Sequence, residues 1–297
     1  MSRESVPVSP VLALAVAVLA VSTSAILVRF SDAPSSVKAF YRVLFTLALV
    51  APLAATRSRA GVARLSRRDL LGAGVAGVAL ALHFGAWFES LEWTSVAASV
   101  TLVQAQPVFV AVGAAFLLDE RVTGRAVAGI LVALAGMALM AGADLLGAAT
   151  TGARPLYGNA LAVGAAVMTA VYVLAGRSIR RRVPLLPYVT VVYGVCTFVL
   201  LAVVVASAGA DALWPYPPRE WLLFVAMAAG PGLFGHTVVN WALGHVESSV
   251  VSVSLLAEPV GSTLLALALL AEVPGALTVL GGVVVLCGIG VTAAERR

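Results

Sequence analysis

The side chains able to do chemistry in this 297-residue sequence are few, and several fall at matching places in its two halves. Glu258 directly precedes Pro259, and Gln106 directly precedes Pro107. A proline inside a helix withholds one backbone N–H, so the carbonyls of Val103 and Leu255 lose their helical partners. A carboxyl or amide beside such loosened backbone suits the fixing of a polar solute. Glu258 could also carry a coupling proton, the alternative being a structural hydrogen bond between helices. His83 and Trp87 are four apart, as are His236 and Asn240, so each pair shares a helical face. A histidine in a helix serves equally well as a packed hydrogen-bonding group. Gln104 shares a face with Thr101. The candidate substrate-binding set is therefore His83, Trp87, Gln104, Gln106, His236, Asn240 and Glu258, with Pro107 and Pro259 as hinges. Trp87 and Phe84 would pack the apolar part of a solute while Gln106, Asn240 and Glu258 fix its polar groups.

The same search excludes other chemistry. No G-x-x-x-x-G-K-[ST] is present, so no P-loop is expected to hydrolyse ATP, and neither H-E-x-x-H nor G-x-S-x-G occurs. The run Gly72-Ala73-Gly74-Val75-Ala76-Gly77 fits G-x-G-x-x-G, but it follows no strand and reads as small-residue packing in an apolar helix. Three dispersed histidines make a poor metal site, and Cys196 and Cys287 both lie in apolar runs as small hydrophobes. The expectation is no catalytic residue, no metal and no cofactor. Ser252, Ser254 and Ser262 read as pocket or as interhelical packing groups.

These residues must be positioned by membrane helices. The chain is 61% hydrophobic and 11% charged, with mean hydropathy +1.03, whereas a soluble domain carries about 25% charged residues. A net charge of +5 comes from arginines clustered between apolar runs, which fits membrane orientation and not a nucleic-acid surface. A span needs about 20 apolar residues. Breaks at charged and Pro/Gly clusters give ten: 11–29, 38–55, 70–90, 95–118, 124–143, 156–176, 187–207, 221–243, 249–271 and 275–293. The first is long for a signal peptide and is read as a span. With the N-terminus inside, 14 of the 19 Lys and Arg residues fall on the cytoplasmic side. Arg29, Lys38, Arg42, Arg154 and Arg219 fall on or near the outer side. That asymmetry favours ten spans with both termini cytoplasmic. Arg42 is expected to snorkel to the outer interface, with a salt-bridge or anion-binding role as the alternative. Glu89, Glu92, Asp119, Glu120 and Glu272 are expected at helix ends as interfacial charges or caps.

A shift of 152 residues lays 105–136 over 257–288 without a gap, with 12 of 32 positions identical. Pro107 meets Pro259, Glu120 meets Glu272, Gly129 meets Gly281 and Gly136 meets Gly288. Apolar bias alone does not align Pro, Glu and two Gly in register. Five spans per copy is an odd number, so the copies must insert with opposite orientation, an architecture of secondary transporters whose sites lie near the midplane. The repeats are read as 1–147 and 148–297, an all-α membrane fold of two inverted five-helix repeats. The paired glycines read as close-packing faces of the fifth and tenth spans.

Thr94-Ser95-Val96-Ala97, Gln106-Pro107-Val108-Phe109 and Leu118-Asp119-Glu120-Arg121, with Glu258-Pro259-Val260 and Ala271-Glu272 in the second copy, resemble the EamA family of the drug/metabolite transporter superfamily. The resemblance covers almost the whole chain in two copies. It implies a central cavity walled by the third, fourth, eighth and ninth spans, and export or import of amino acids, metabolites or drugs. The family's usual Leu-Gly-Glu has Asp119 and Ala271 in place of glycine, a change expected to affect packing only. The expected function is a secondary transporter in the cytoplasmic membrane, moving an amino acid or related compound by alternating access, as a monomer or homodimer. An enzyme acting on lipid-linked substrates would need acids, histidines or arginines clustered at one interface, and a scaffold would not concentrate polar residues at the midplane.

Overall fold

In the computed structural model the described residues are 10–57, 65–118, 123–145, 152–180, 183–238, 254–255 and 257–293. Their regular structure is helical: α1 Pro10–Ser22, α2 Ser24–Phe30, α3 Ser35–Arg57, α4 Arg67–Trp93, α5 Val96–Val103, α6 Gln106–Leu118, α7 Gly124–Leu145, α8 Pro155–Arg180, α9 Leu185–Ala208, α10 Pro218–Met227, a π-helix Ala228–Thr237, α11 Ala257–Leu270 and α12 Ala276–Ala293. A short 3-10 turn, Ala210–Leu213, precedes α10. Each of the ten expected spans is met by helix over at least part of its length. Among the described residues five helical stretches are long and apolar enough to cross a bilayer alone: Leu12–Phe30, Ser35–Thr56, Arg67–Trp93, Pro155–Gly176 and Leu185–Ala208.

The distribution of polarity is that of a chain solvated by lipid. Leu71, Phe198 and Leu222 are 73%, 72% and 70% exposed, whereas Arg42, Lys38 and Glu220 are 1%, 2% and 2% exposed. In water this arrangement would be unfavourable on both counts. In hydrocarbon the apolar faces are solvated and the charged groups must turn inward.

Among the described residues three spans are interrupted, one of them, the fourth, beside the expected hinge Pro107. The first breaks at Thr23, whose hydroxyl donates to the Ala20 carbonyl at 2.7 Å. The Ser22 carbonyl next to that break accepts from the Ser262 hydroxyl at 3.0 Å, which joins α1 to α11. The fourth breaks at Gln104–Ala105, immediately before Pro107, where short-range bonds from Ala105 N–H to Leu102 and from Val108 N–H to Ala105 replace the helical ladder. The eighth runs from α10 into the π-helix, which contains Pro231. Wider turns there change the spacing of residues that share a face within 228–237; the expected pairing of His236 with Asn240 lies outside the described residues.

Regular helices form the frame around these breaks. The most extensive packing joins α7 to α12 and α4 to α8; α3 packs on α9, α5 on α11, and α1 on the π-helix. Glycine sets the first of these contacts. A Cβ on Gly136 would stand 2.7 Å from the Gly281 carbonyl oxygen, and one on Gly288 would stand 2.4 Å from the Ala133 nitrogen. The close-packing role expected for these glycines is what the structure shows.

At Ala271 the expectation of a packing effect alone is corrected. Ala271 takes φ +53°, and the Glu272 N–H donates back to the Ala266 carbonyl at 3.2 Å. Ala271 thus stands as a left-handed residue just past the end of α11, a position that favours glycine. A side chain there is strained by about 1 kcal/mol or somewhat more. Ala271→Gly is therefore expected to raise the thermal midpoint of the purified protein by a few degrees. Gly288→Ala is expected to lower it, because a new Cβ would meet backbone that cannot move aside. Melting curves in one detergent check both signs.

Candidate functional site

The irregular segments converge on Arg42 of α3. It is 1% exposed, so it does not reach the interface as expected. Its Nη1 donates to the Ser24 hydroxyl at 2.7 Å, and Ser24 opens α2 directly after the break in the first span. The guanidinium lies over rings contributed by α4: Phe84 at 4.6 Å, Phe88 at 5.5 Å and Trp87 at 5.9 Å from the ring centroids. A ring face attracts a cation but leaves its N–H groups unspent. Arg42 Nη2 accordingly has no hydrogen-bond partner among the described residues.

Glu258 and Pro259 open the described part of α11, and Glu258 is 8% exposed. Gln104 Nε2 donates to its carboxylate. The repeat register sets Gln106 opposite Glu258, yet the side chain that meets it is Gln104, two residues earlier, because the backbone turns at Gln104–Ala105. Gln106 Oε1 is buried without a partner among the described residues, as is Trp87 Nε1. Glu258 also lies within electrostatic reach of Arg42. Among the described residues the two form no ion pair.

His83 is committed differently. Its Nδ1 is 3.0 Å from the Ala165 carbonyl and 2.5 Å from the Thr169 hydroxyl, both on α8. Its ring stacks on Trp87 at 5.9 Å and meets Phe84 edge-on at 4.9 Å. It thus ties the third span to the sixth while extending the aromatic wall. His236 falls in the π-helix, but its side chain, Asn240 and Ser252 lie outside the described residues. Ser262 is spent on the contact with Ser22. A small cavity of about 20 Å³ lies against Arg42, lined also by Val43, Thr46, Phe84, Tyr193 and Gly232, which is room for roughly one water. A larger hollow of about 460 Å³ lined by Leu70, Leu71, Val75 and Val78 opens on an outer apolar face and has no polar group to fix a solute.

At one end of the bundle charged groups join the spans. Glu272 accepts from the Val96 N–H at 2.6 Å and pairs with Arg29 at 3.2 Å; Arg29 also donates to the Leu91 carbonyl. Lys38 pairs with Glu92 at 2.8 Å. Glu220 accepts from the Ser31 hydroxyl at 2.5 Å and from the Asp32 N–H at 3.1 Å. Helix-end roles expected for Glu92 and Glu272 are met here, and Glu89 accepts from the Trp93 indole at 2.8 Å. Asp119 and Glu120 lie outside the described residues. Ser24 and Glu220 were not singled out from the sequence, whereas Arg42 had an anion-binding or salt-bridge role as its alternative. No signal in the residue pattern pointed to those two.

The profile of the EamA-like transporter family matches the chain twice, over residues 8–142 and 156–294. The chain belongs to this family. This EamA-like chain is 26% identical to the uncharacterized inner membrane transporter YhbE of Escherichia coli (strain K12), over 77% of its own length and 72% of the relative's. It is 34% identical to the aromatic amino acid exporter YddG of Ancylobacter novellus, over 60% of each. One solved crystal structure superposes with a TM-score of 0.63 at 24% identity, covering 97% of this chain and 99% of the other, which supports the fold.

Burial raises the Glu272 pKa above the ordinary glutamate value, against the opposing effects of the Val96 N–H and Arg29. A carboxyl whose pKa is higher folded than unfolded contributes stability that is full at low pH and lost as pH rises through the folded value. Glu272→Gln keeps an acceptor for Val96 without the charge. It is expected to melt at or above wild type at pH 8, with the difference shrinking towards pH 5. Glu272→Ala leaves the buried N–H unmet and is expected to lose about 1–3 kcal/mol. Thermal melts across pH check both.

Proposed function

We propose that this EamA-like protein is a secondary transporter of the cytoplasmic membrane that moves an amino acid or closely related metabolite by alternating access. The observation that carries this reading is the buried Glu258, hydrogen-bonded to the half-buried Gln104, beside Arg42 and an aromatic wall, in a bundle whose outer face is apolar. Polar groups this deep are costly and mark solute or proton paths. The family profile's two matches support repeats at 1–147 and 148–297. So does the packing: exchanging the first five spans with the last five turns the α4–α8 contact into that of the π-helix with α1, while α3–α9, α5–α11 and α7–α12 map onto themselves. An inverted repeat would produce this pattern. The relative named as an aromatic amino acid exporter supports the substrate class, and Phe84, Trp87 and Phe88 offer rings to pack against an aromatic side chain.

In this reading Glu258 fixes the solute's ammonium group or carries a coupling proton, with Gln106, Asn240 and His236 as further polar contacts and Trp87 and His83 as ring surface. Pro107 and Pro259 let the fourth and ninth spans flex. The ion pairs of Arg29 with Glu272 and Lys38 with Glu92 close the expected outer end, both termini being cytoplasmic.

The test is uptake of radiolabelled aromatic and aliphatic amino acids into proteoliposomes between pH 6 and 8. Wild type is expected to transport at least one of them with a pH-dependent rate. Glu258→Gln is expected to slow transport about 10- to 100-fold, the loss of one charged hydrogen bond worth roughly 1.5–3 kcal/mol, and to flatten the pH dependence. An unchanged pH profile in the variant removes the proton role. Absence of uptake for every amino acid overturns the substrate class.

A further inference from the structure

We propose that Arg42 is an anion site that binds the carboxylate of the transported solute. The inference rests on the amino-acid reading above and adds the group that reading leaves unheld. A guanidinium carries five N–H donors and cannot shed its charge. Of those at Arg42, the Ser24 hydroxyl takes one on Nη1, while Nη2 is buried and has no partner among the described residues. Leaving such a group unmatched in a bilayer costs several kcal/mol.

Two aspects of the surroundings point to a ligand and not to a structural cation. First, the rings of Phe84, Trp87 and Phe88 lie against the guanidinium, which holds its orientation without consuming donors. Second, the small cavity between α3, α4, α9 and the π-helix is lined by Arg42 itself together with Thr46, Phe84 and Tyr193. At about 20 Å³ it is too small for a solute as it stands, and loosening at Thr23 and at Gly232 of the π-helix would enlarge it.

The charge of the ligand follows from the neighbours. Glu258 reaches Arg42 electrostatically but is hydrogen-bonded to Gln104. A dianion such as phosphate would meet one cation and one acid and be repelled by the second. A monoanionic carboxylate fits Arg42, and on an amino acid the ammonium next to it faces Glu258. Arg42 and Glu258 then read the two ends of a zwitterion, with the rings of α4 beside its side chain.

Three indole compounds separate these contributions: tryptophan, indole-3-propionate, which keeps the carboxylate and lacks the amine, and tryptamine, which has the reverse. The measurement is the thermal midpoint of purified protein with each compound, or with sodium chloride at equal ionic strength. Wild type is expected to gain about 2–4 °C with tryptophan and with indole-3-propionate at near-saturating concentration. Arg42→Gln is expected to abolish the gain from both, and Arg42→Lys to keep part of it. Should Arg42→Gln fail to fold, the ligand series on wild type still decides. Equal gains from tryptamine and indole-3-propionate, a gain from chloride as large as from either, or no gain from any carboxylate would overturn the assignment. Stabilisation by indole-3-propionate without transport of any amino acid would instead overturn the transport reading and leave the Arg42 site standing.

Discussion

Arg42 is the most demanding group in the bundle to bury, and the local structure is arranged around that demand. Its charge cannot be neutralised by loss of a proton, and no carboxylate pairs with it among the described residues. What it receives is one hydroxyl and three ring faces. The hydroxyl belongs to Ser24, at the start of α2 beyond the break at Thr23. Beside that same break the Ser22 carbonyl accepts from Ser262 of α11. The accommodation of the cation, the interruption of the first span and the docking of the helix that carries Glu258 thus belong together. Straightening any one disturbs the other two.

The rest of the molecule divides into rigid and irregular parts. Where α7 meets α12, glycine lets backbones touch, and a contact without side chains has few alternative arrangements. Around Arg42 the contacts are polar, made at helix breaks and against a π-helix, where backbone groups have more than one way to be satisfied. Alternating access needs both kinds of contact: bodies that keep their shape and a seam that can be remade. At the charged end, the Lys38–Glu92 pair has an exposed partner and contributes little on its own. Glu272 is different, because it also caps the first N–H of α5 and so ties the Arg29 ion pair to the span that holds Gln104.

Much of this could be read from residue patterns, and the misses share one cause. Apolar runs and clustered arginines located the spans because lipid imposes length and charge rules on any helix. Gly136, Gly281 and Gly288 were legible because aligned glycines have few other reasons to recur. Gln104 was a candidate alongside Gln106, but the bond from Gln104 to Glu258 depends on the turn at Gln104–Ala105, which a helix count of about 100° per residue does not carry. The eighth span likewise becomes a π-helix over Ala228–Thr237, which a straight helix count does not anticipate. Arg42 was expected at the interface from its place in the outer part of an apolar run, with a salt-bridge or anion-binding role as the alternative. Its actual direction depends on Ser24 and on three rings of α4, none of them near it in sequence. Ala271 looked like a packing change because left-handed backbone leaves no trace in composition.

The separation of the buried charges carries the argument about function furthest. If Arg42 and Glu258 were bonded to each other, the interior would be neutral and self-sufficient, and a polar solute would have to break a strong pair to enter. Each is instead held by a neutral group, Ser24 for the cation and Gln104 for the acid. A hydroxyl and an amide fix orientation without cancelling charge, so both ends keep capacity for an incoming partner. A neutral apolar solute would gain nothing from this arrangement. A solute with a single charge would satisfy one end and leave the other costly. A zwitterion satisfies both at once, and it does so with no net charge carried through the membrane's interior.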